Sequence, residues 1–297
     1  MKTRMDCLPC IFRQALVAAR HATNDVALHE QVLRRVAAHY AGAPLGETPA
    51  HFSRAMYDII HEVTGVADPF AAEKEHFNAL ALAMVPECMA ALAQADDPLE
   101  TGAHLAVAGN IIDLGIGADL DIQGTLERAL HVPFVVNHLE QLRAELARAT
   151  TLLYVGDNAG EIVFDRIFIE VIKGRCPGLD VTFAVKAGPI INDATMADAE
   201  AVEMPRVCRV IDIGGAYIGA PLDRVSAAFR KRFDTADVVI AKGQGNFETL
   251  SGAAQRPVFY ILKAKCELVA EELGVSFGDS VLKYVKPVSA KAMGCRR

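Results

Sequence analysis

The sequence predicts an α/β protein in which a helical N-terminal half packs on a doubly wound, mostly parallel, Rossmann-like sheet. Through residues 1–150 the apolar residues recur at helical spacing. From residue 151 onward, short apolar runs alternate with helical segments and are joined by short polar connections. This alternation is typical of parallel sheets whose strands are linked by helices. We therefore expect an all-helical domain over residues 1–150 and an α/β domain over residues 151–297.

The first half carries recognisable helix starts. Ile11 to Ala22 and Val26 to Ala41 have the apolar spacing of two helices. Later helices are predicted where a capping residue precedes a proline, which fits the first helical turn, as in Thr48-Pro49, Asp68-Pro69 and Asp97-Pro98. Asn137 is predicted to cap a last helix, His138 to Ala149. No strand is predicted in this half, because no β-type alternation interrupts it.

The second half contains five apolar runs and a weaker sixth, at residues 151–155, 180–185, 207–213, 237–241, 257–262 and 281–285. The runs are continuously apolar rather than alternating, which indicates strands that are buried on both faces. A sheet covered by helices on both sides has this property, so the strand pattern supports the doubly wound arrangement.

The composition excludes several classes of protein. Hydrophobic residues make up 52% and charged residues 23%, so a disordered chain is excluded. The net charge of −7 and the absence of tryptophan argue against nucleic-acid and membrane partners. The start of the sequence lacks the pattern of a secretory leader, and Pro86 and Glu87 interrupt the longest apolar stretch. We expect a cytoplasmic protein with reduced thiols; the oligomeric state is left open.

The positions of histidine limit the chemistry of the second half. The chain has 9 histidines, and all of them lie between His21 and His138. A catalytic triad or a zinc site that needs histidine cannot be assembled from the second half alone. A site there must use Asp, Asn, Glu, Lys or Cys.

Polar residues follow the predicted strands, where parallel sheets bind their ligands. These residues are Asp157, Asn158 and Glu161, then Lys186, Asn192 and Asp193, then Lys242, Gln244 and Asn246, and finally Lys263 and Lys265. Carboxylate and amide oxygens suit a hard cation such as Mg²⁺ or Mn²⁺, and lysines suit a phosphate. The set therefore indicates phosphoryl chemistry. Each Asp or Asn taken singly could instead be a helix cap or a turn residue.

Other nucleotide and nucleophile motifs are absent. The first loop lacks the G-x-G-x-x-G spacing of dinucleotide-binding proteins, and the lysine of Lys242-Gly243 precedes its glycines rather than following them as in a Walker loop. No G-x-S-x-G elbow occurs.

The same segments resemble those of the damage-control phosphatases, which include the proteins labelled acidic residue methyltransferase-like. The resemblance rests on Gly156-Asp157-Asn158-Ala159-Gly160-Glu161, Asn192-Asp193-Ala194-Thr195, the segment from Lys242 to Glu248, and Ala108-Gly109-Asn110 with Asp113. It covers nearly the whole chain. The N-terminal Cys7-Leu-Pro-Cys10 resembles the short prokaryotic branch.

The resemblance implies a metal-dependent phosphatase that acts on small phosphorylated metabolites, often damaged or side products. It implies Asp157, Asn158 and Asp193 as ligands of a divalent metal such as Mn²⁺, Mg²⁺, Co²⁺ or Ni²⁺. Asn110 and Lys242 would face the phosphate, with Asn246 near it.

Further substrate contacts are expected from Asp113, Glu161 and Lys186. Asp113 lies three residues after Asn110, so a helix would present both on one face; its alternative is a polar position between the two halves. Lys242 would stabilise charge on the transferring group. The nucleophile is either water or the carboxylate of Asp157. Asp165, one helical turn after Glu161, is expected to be structural.

Two other functions stay open at this stage. One is an S-adenosylmethionine-dependent carboxyl methyltransferase, against which the missing glycine-rich loop counts. The other is a non-catalytic protein that binds a metal or a phosphorylated metabolite. The pair Cys7 and Cys10 has no second pair at matching spacing, so a four-sulfur zinc site is unsupported. A redox or metal role for this pair stands against two ordinary thiols at a helix start.

Overall fold

The computed structural model describes residues 1–112, 130–252, 254 and 256–286, and residues 108–112 by their backbone only. Its first part is helical, as predicted. The helices are Cys7–Ala22, Val26–Tyr40, Pro49–Phe52, Arg54–Thr64, Ala71–Ala83, Val85–Gln94 and Pro98–Ile112. The predicted cap at Thr48 is present, since its side chain accepts a hydrogen bond from the His51 N–H, with Pro49 in the first turn. Asp97 likewise accepts from the Leu99 N–H.

Among the described residues, seven strands form one sheet. They are β1 Phe134–Asn137, β2 Thr151–Val155, β3 Asp180–Val185, β4 Arg209–Asp212, β5 Val238–Lys242, β6 Val258–Lys263 and β7 Ser280–Val285. Their spatial order is β1-β7-β6-β5-β2-β3-β4. All neighbours pair in parallel except β6 and β7, which are antiparallel. The predicted mostly parallel α/β sheet is therefore confirmed.

The remaining helices connect the strands. They are Leu139–Leu146, Glu161–Arg175, Met196–Ala201, Ala227–Thr235, Gly243–Leu250 and Glu267–Leu273, with a 3₁₀ turn at Met204–Arg206. Strand β1 was not predicted, because its four residues directly follow Pro133 and are too few to show a pattern. Asn137 accepts a hydrogen bond from the Leu139 N–H, so it caps the next helix as expected.

Both faces of the sheet are covered. On β2, Leu152 and Tyr154 belong to one buried cluster, which includes the helix Glu161–Arg175. Leu153 and Val155 belong to a second buried cluster on the opposite face. Because successive side chains of a strand point to opposite faces, a continuously apolar strand needs a core on each side.

The first half contributes to two different cores. Its early helices form their own cluster, from Ile11 to Phe70. Residues from Ala81 to Val107 join the cluster on the sheet face that contains Tyr154. The division of the chain into two domains at residue 150 stays a prediction. Within the described ranges no single helix is both long and apolar enough to cross a membrane; only the bent pair Ala71–Ala83 and Val85–Gln94, taken together, reaches that length and composition.

Candidate active site

Two loops at the carboxyl end of the sheet are hydrogen-bonded to each other. The loop after β2 carries Asp157 and Asn158, and the loop after β3 carries Asp193. The Ala194 N–H donates to the Asp157 carbonyl at 2.8 Å, and the Ala159 N–H donates to the Asn192 carbonyl at 2.9 Å. Asn158 thus lies opposite Asp193 in a short antiparallel bridge. The structure brings together all three residues that were predicted as metal ligands.

A glycine makes room for the Asp157 carboxylate. Gly243, which directly follows β5, has a φ of +76°, and a Cβ built on it would lie 1.8 Å from Asp157 Oδ2. Any other residue would collide with this carboxylate and would be strained in the left-handed region. The start of the helix Gly243–Leu250 therefore packs directly against Asp157.

The carboxylates of Asp157 and Asp193 are buried in a region of excess negative charge. Burial raises the pKa of Asp157 well above its usual value, and the charges of Asp193 and Glu161 raise it further. Burial also raises the pKa of Asp193 to about 6, although Lys186 opposes the rise. Asp193 Oδ2 is buried without a hydrogen-bond donor in the described part of the chain, although Lys186 Nζ lies 3.4 Å from it. A bound cation would relieve this excess of negative charge.

The donor set fits a hard divalent cation. Asn158 Nδ2 donates to Asp157 Oδ2 at 3.3 Å and to Glu161 Oε1 at 2.9 Å, so the amide oxygen is the group that Asn158 can offer to a cation. Among the described residues no three Asp, Glu, His or Cys side chains lie close enough to hold a metal by themselves. Two carboxylates and one amide oxygen therefore form the candidate set, and oxygen ligands of this kind suit Mg²⁺ or Mn²⁺.

These three residues line a cavity of about 760 Å³ between the early helices and the edge of the sheet. Cys10 and Tyr57 of the early helices also line it, as does Phe70, which directly precedes the helix Ala71–Ala83. The other wall residues include both polar and apolar side chains. Polar ones are Gln244, Glu248 and Lys265, and apolar ones are Ile11, Val17, Ile191, Ile218 and Leu268. The cavity thus combines an oxygen-rich region with apolar walls that can contact a carbon skeleton.

Lys242 and Lys186 lie behind the cavity wall rather than on its surface. Lys242 has no exposed side-chain area, and its Nζ lies 2.8 Å from Asp165 Oδ1 and 3.7 Å from Glu161 Oε2. Burial disfavours its charge, but the two carboxylates outweigh burial and raise the pKa of Lys242. Lys186 Nζ donates to the Gly219 carbonyl at 2.6 Å. In this structure both lysines balance buried carboxylates, and their predicted contacts with substrate stay predictions.

Asn246 holds two strand ends together. Its Nδ2 donates to the Gly156 carbonyl at 3.0 Å and to the Lys242 carbonyl at 2.7 Å. Its Oδ1 is buried and has no hydrogen-bond donor among the described residues. Asn110 lies in the helix Pro98–Ile112 with its side chain outside the described part of the chain, and Asp113 lies outside the described residues. The predicted substrate contacts of these three residues are not tested.

Several residues of the site were not assigned a role from the sequence. Lys265 is exposed on the cavity wall, and its charge opposes the rise in the pKa of Asp157. Gln244 Nε2 donates to Glu248 Oε1 at 2.9 Å, and Gln244 Oε1 accepts from the Lys265 N–H at 3.1 Å. The sequence signal for Gln244 and Lys265 was their place after a strand. Glu248 follows Gln244 by one helical turn, so it lies on the same face of its helix.

Three thiols also line the cavity. Cys7, Cys10 and Cys266 are free cysteines. Burial is the main cause of the raised pKa of Cys7, which disfavours a reactive thiolate there. The raised pKa of Cys7 therefore gives no support to a redox or metal role for the pair Cys7 and Cys10.

Known proteins resemble this chain over nearly its whole length. The family model described as the damage-control phosphatase ARMT1-like domain matches residues 3–281. A damage-control phosphatase of Archaeoglobus fulgidus is 32% identical over an alignment of 295 residues that covers 96% of this chain and 100% of that protein. A damage-control phosphatase of Pyrococcus horikoshii is 35% identical over 284 residues, or 95% of this chain and 97% of that protein. The crystal structure of a DUF89 family protein from the same organism matches with a TM-score of 0.89 and 33% identity, covering 97% of this chain and 100% of that one.

Proposed function

Because this chain belongs to the damage-control phosphatase family, we propose that it hydrolyses phosphate monoesters of small metabolites, including damaged or side-product metabolites. We propose that the reaction needs a divalent cation held by Asp157, Asn158 and Asp193. The observation that carries the metal dependence is the pair of buried carboxylates on the cavity wall. Asp193 Oδ2 has no hydrogen-bond donor in the described chain, and the charges of Asp193 and Glu161 both act on Asp157. Such a cluster is costly unless a cation shares it.

The cation, when bound, supplies positive charge that neutralises the phosphate oxygens and polarises the phosphorus atom. The residues of the chain do the rest. The paired loops hold Asp157 and Asp193 on the cavity wall, through the backbone hydrogen bonds from Ala194 to Asp157 and from Ala159 to Asn192. Lys265 is exposed on the same wall, and we assign its ammonium group to the phosphate oxygens. Lys186 keeps the carboxylate of Asp193 charged, because it lies 3.4 Å from Oδ2.

Water is the nucleophile that this geometry favours. Asp157 Oδ2 packs against the backbone of Gly243 and accepts a hydrogen bond from Asn158 Nδ2 at 3.3 Å, and both contacts hold this carboxylate on the wall. A water molecule in the open cavity has no such restriction. We therefore expect no covalent phosphoryl-enzyme, and intact-protein mass spectrometry during turnover should find no phosphorylated species.

The cavity sets the size of the substrate. A volume of about 760 Å³ exceeds what a phosphate alone fills, and apolar residues such as Phe70 and Leu268 line it. The leaving group should therefore be a whole metabolite skeleton rather than a small alcohol. We expect a cytoplasmic enzyme, because its seven cysteines show no pairing pattern in the sequence.

A metal and substrate screen tests this proposal. Hydrolysis of p-nitrophenyl phosphate should disappear with excess chelator and return with Mn²⁺, Mg²⁺, Co²⁺ or Ni²⁺. Asp157→Asn and Asp193→Asn should abolish turnover, whereas Asp234→Asn should not, since Asp234 pairs with Arg230 on the surface. A panel of sugar phosphates, nucleotides and phosphopantetheine-type esters would then rank substrates by kcat/KM. Full activity in excess chelator would remove the metal from the mechanism.

A further inference from the structure

One side chain of the helix Ala71–Ala83 is hydrogen-bonded to one loop of the site and to the helix that follows the other loop. Asn78 Oδ1 accepts a hydrogen bond from the Gly160 N–H at 2.7 Å, and Asn78 Nδ2 donates to Asp198 Oδ1 at 3.0 Å. Gly160 lies two residues after Asn158, on the loop that follows β2. Asp198 lies five residues after Asp193, on the segment that follows β3. A single amide therefore connects the loop that carries Asn158 with the helix Met196–Ala201, which directly follows the loop that carries Asp193.

Asp198 anchors its own segment at the same time. Its Oδ2 accepts from the Thr195 N–H at 2.9 Å and from Thr195 Oγ1 at 2.7 Å, in the capping box that begins the helix Met196–Ala201. Lys74, one turn before Asn78, places its Nζ 3.4 Å from Asp198 Oδ2 and 2.8 Å from Asp68 Oδ2. The charge of Asp198 is thus balanced inside the protein. Lys74 is 5% exposed, Asn78 5% and Asp198 7%, so water does not compete for these contacts.

The backbone of the same helix also touches the first loop. Gly160 has a φ of +78°, and a Cβ on it would lie 3.0 Å from Phe77 Cβ and 3.1 Å from the Phe77 carbonyl oxygen. The loop can approach the helix this closely only because residue 160 is glycine. Packing and hydrogen bonding therefore fix the loop at one distance from the helix.

We propose that Lys74, Asn78 and Asp198 are positioning residues that set the separation of Asn158 and Asp193, and we call these three residues the Asn78 clamp. The clamp touches neither the substrate nor the cation, and its consequence for catalysis rests on the proposed function. It acts by holding both ligand loops against one rigid helix before a cation arrives. Residues that orient metal ligands in this way typically affect metal affinity by about ten- to a hundredfold.

A reversal of one hydrogen bond tests the clamp with nearly isosteric changes. Asn78→Asp keeps the acceptor for Gly160 but sets two carboxylates face to face. Asp198→Asn keeps the acceptor for Thr195 but sets two amide nitrogens face to face. The double variant Asn78→Asp/Asp198→Asn restores the bond with its donor and acceptor exchanged, and the total charge beside Lys74 is unchanged. At pH 8, each single variant should bind Mn²⁺ about ten- to a hundredfold more weakly, and the double variant should recover most of that loss.

A control separates positioning from general stability. Arg143, on the helix Leu139–Leu146, pairs with Asp97, which caps the helix Pro98–Ile112, and neither residue belongs to the two ligand loops. Arg143→Met should lower the Tm while leaving the Mn²⁺ affinity, measured by calorimetry, unchanged. The clamp variants should lose Mn²⁺ affinity and raise KM for metal, while kcat at saturating Mn²⁺ changes by less than the affinity.

A readout independent of turnover keeps the clamp and the proposed function distinguishable. Amide hydrogen exchange of the metal-free protein should become faster in both loops, at residues 158–163 and 193–199, in each single variant and should return to the wild-type rate in the double variant. If the variants show this exchange pattern but the wild-type protein has no phosphatase activity, the proposed function is overturned and the clamp stands. Unchanged exchange and unchanged Mn²⁺ affinity in Asn78→Asp, or no recovery in the double variant, would overturn the clamp.

Discussion

Lys242 donates a 2.8 Å hydrogen bond to Asp165, and neither side chain has any exposed area. Tyr154 donates to the same carboxylate oxygen at 2.7 Å. Burial raises the pKa of Asp165 to about 6, although Lys242 opposes the rise. The ammonium group of Lys242, which was expected to face the phosphate, is therefore part of a buried charge network below the site, next to Glu161.

We expect Lys242→Met to destabilise the protein by about 3–5 kcal/mol, because it leaves Asp165 and Glu161 buried without their cation. The double variant Asp165→Asn/Lys242→Met should recover most of this loss in urea unfolding, since both charges are then gone. The kcat/KM of the double variant tests whether Lys242 has a second role, in catalysis. A double variant that folds but has no activity would show that Lys242 also contributes to catalysis. Wild-type stability in Lys242→Met alone would contradict the buried network.

Gly243→Ala should abolish most activity by displacing a carboxylate. Its Cβ would lie 1.8 Å from Asp157 Oδ2, so Asp157 must move away from the candidate metal position. Gly274→Ala is a matched control, because Gly274 has a similar φ of +73° but nothing within 4 Å of a Cβ. Both substitutions should cost about 1–2 kcal/mol of stability from left-handed strain. We expect a loss of kcat/KM of more than about a hundredfold only at Gly243, and equal activities of the two variants would contradict this account.

Asp157→Asn and Asp193→Asn should differ in the stability of the metal-free protein. Asp157→Asn removes a buried charge that Asp193 and Glu161 repel, so the free energy of unfolding at neutral pH should rise by about 1–2 kcal/mol. Asp193→Asn leaves Lys186, which is 1% exposed, without the carboxylate 3.4 Å from its Nζ. That variant should lose about 3 kcal/mol. Urea unfolding in chelator measures both, and destabilisation of Asp157→Asn would contradict the repulsion that Asp193 and Glu161 are expected to exert on its charge.

Glu248 should make stability fall as the pH rises. Burial raises the pKa of Glu248 from 4.5 to about 7, although Gln244 donates a hydrogen bond to it. The folded protein keeps this proton up to about pH 7, whereas the unfolded chain releases it near pH 4.5, so the contribution of Glu248 to stability decreases through that window. Relative to the wild type, Glu248→Gln should gain up to about 3 kcal/mol between the two ends of the window. Urea unfolding at several pH values checks this, and parallel curves for the two proteins would contradict it.

The fold was largely predictable because doubly buried strands leave a strong pattern. Strands β2, β3, β5 and β6 lie within one residue of the predicted apolar runs, since a strand between two cores must be apolar throughout. Strand β1 was missed because its partner, β7, lies far away in the chain and four residues carry no periodicity. Pairing of that kind is decided by tertiary structure rather than by local sequence.

The site was predictable only where position along the chain implies position in space. Asp157 and Asp193 follow neighbouring strands, so the topology alone brings them together. The depth at which a side chain is buried could not be predicted in the same way. A lysine after a strand can face a cavity or a carboxylate beneath it, and Lys242 faces the carboxylate of Asp165. Asn78 was also missed, since a polar residue in an amphipathic helix is normally on its solvated face. Its burial depends on which loops the rest of the chain packs against that helix.

The position of β1 has a consequence for the order of folding. Within the described part of the chain, β1 pairs with β7 only. The Tyr284 N–H donates to His138 Nδ1 at 2.9 Å, and these two residues are 146 positions apart in the chain. During synthesis the segment around Phe134 therefore emerges long before the strand that completes its ladder. Until β7 arrives, β6 also lacks its outer neighbour, so one side of the nascent sheet remains an open edge that other chains can pair with. A long-range closure of this kind is a slow step, and the interval before it is when a nascent chain most needs protection from aggregation.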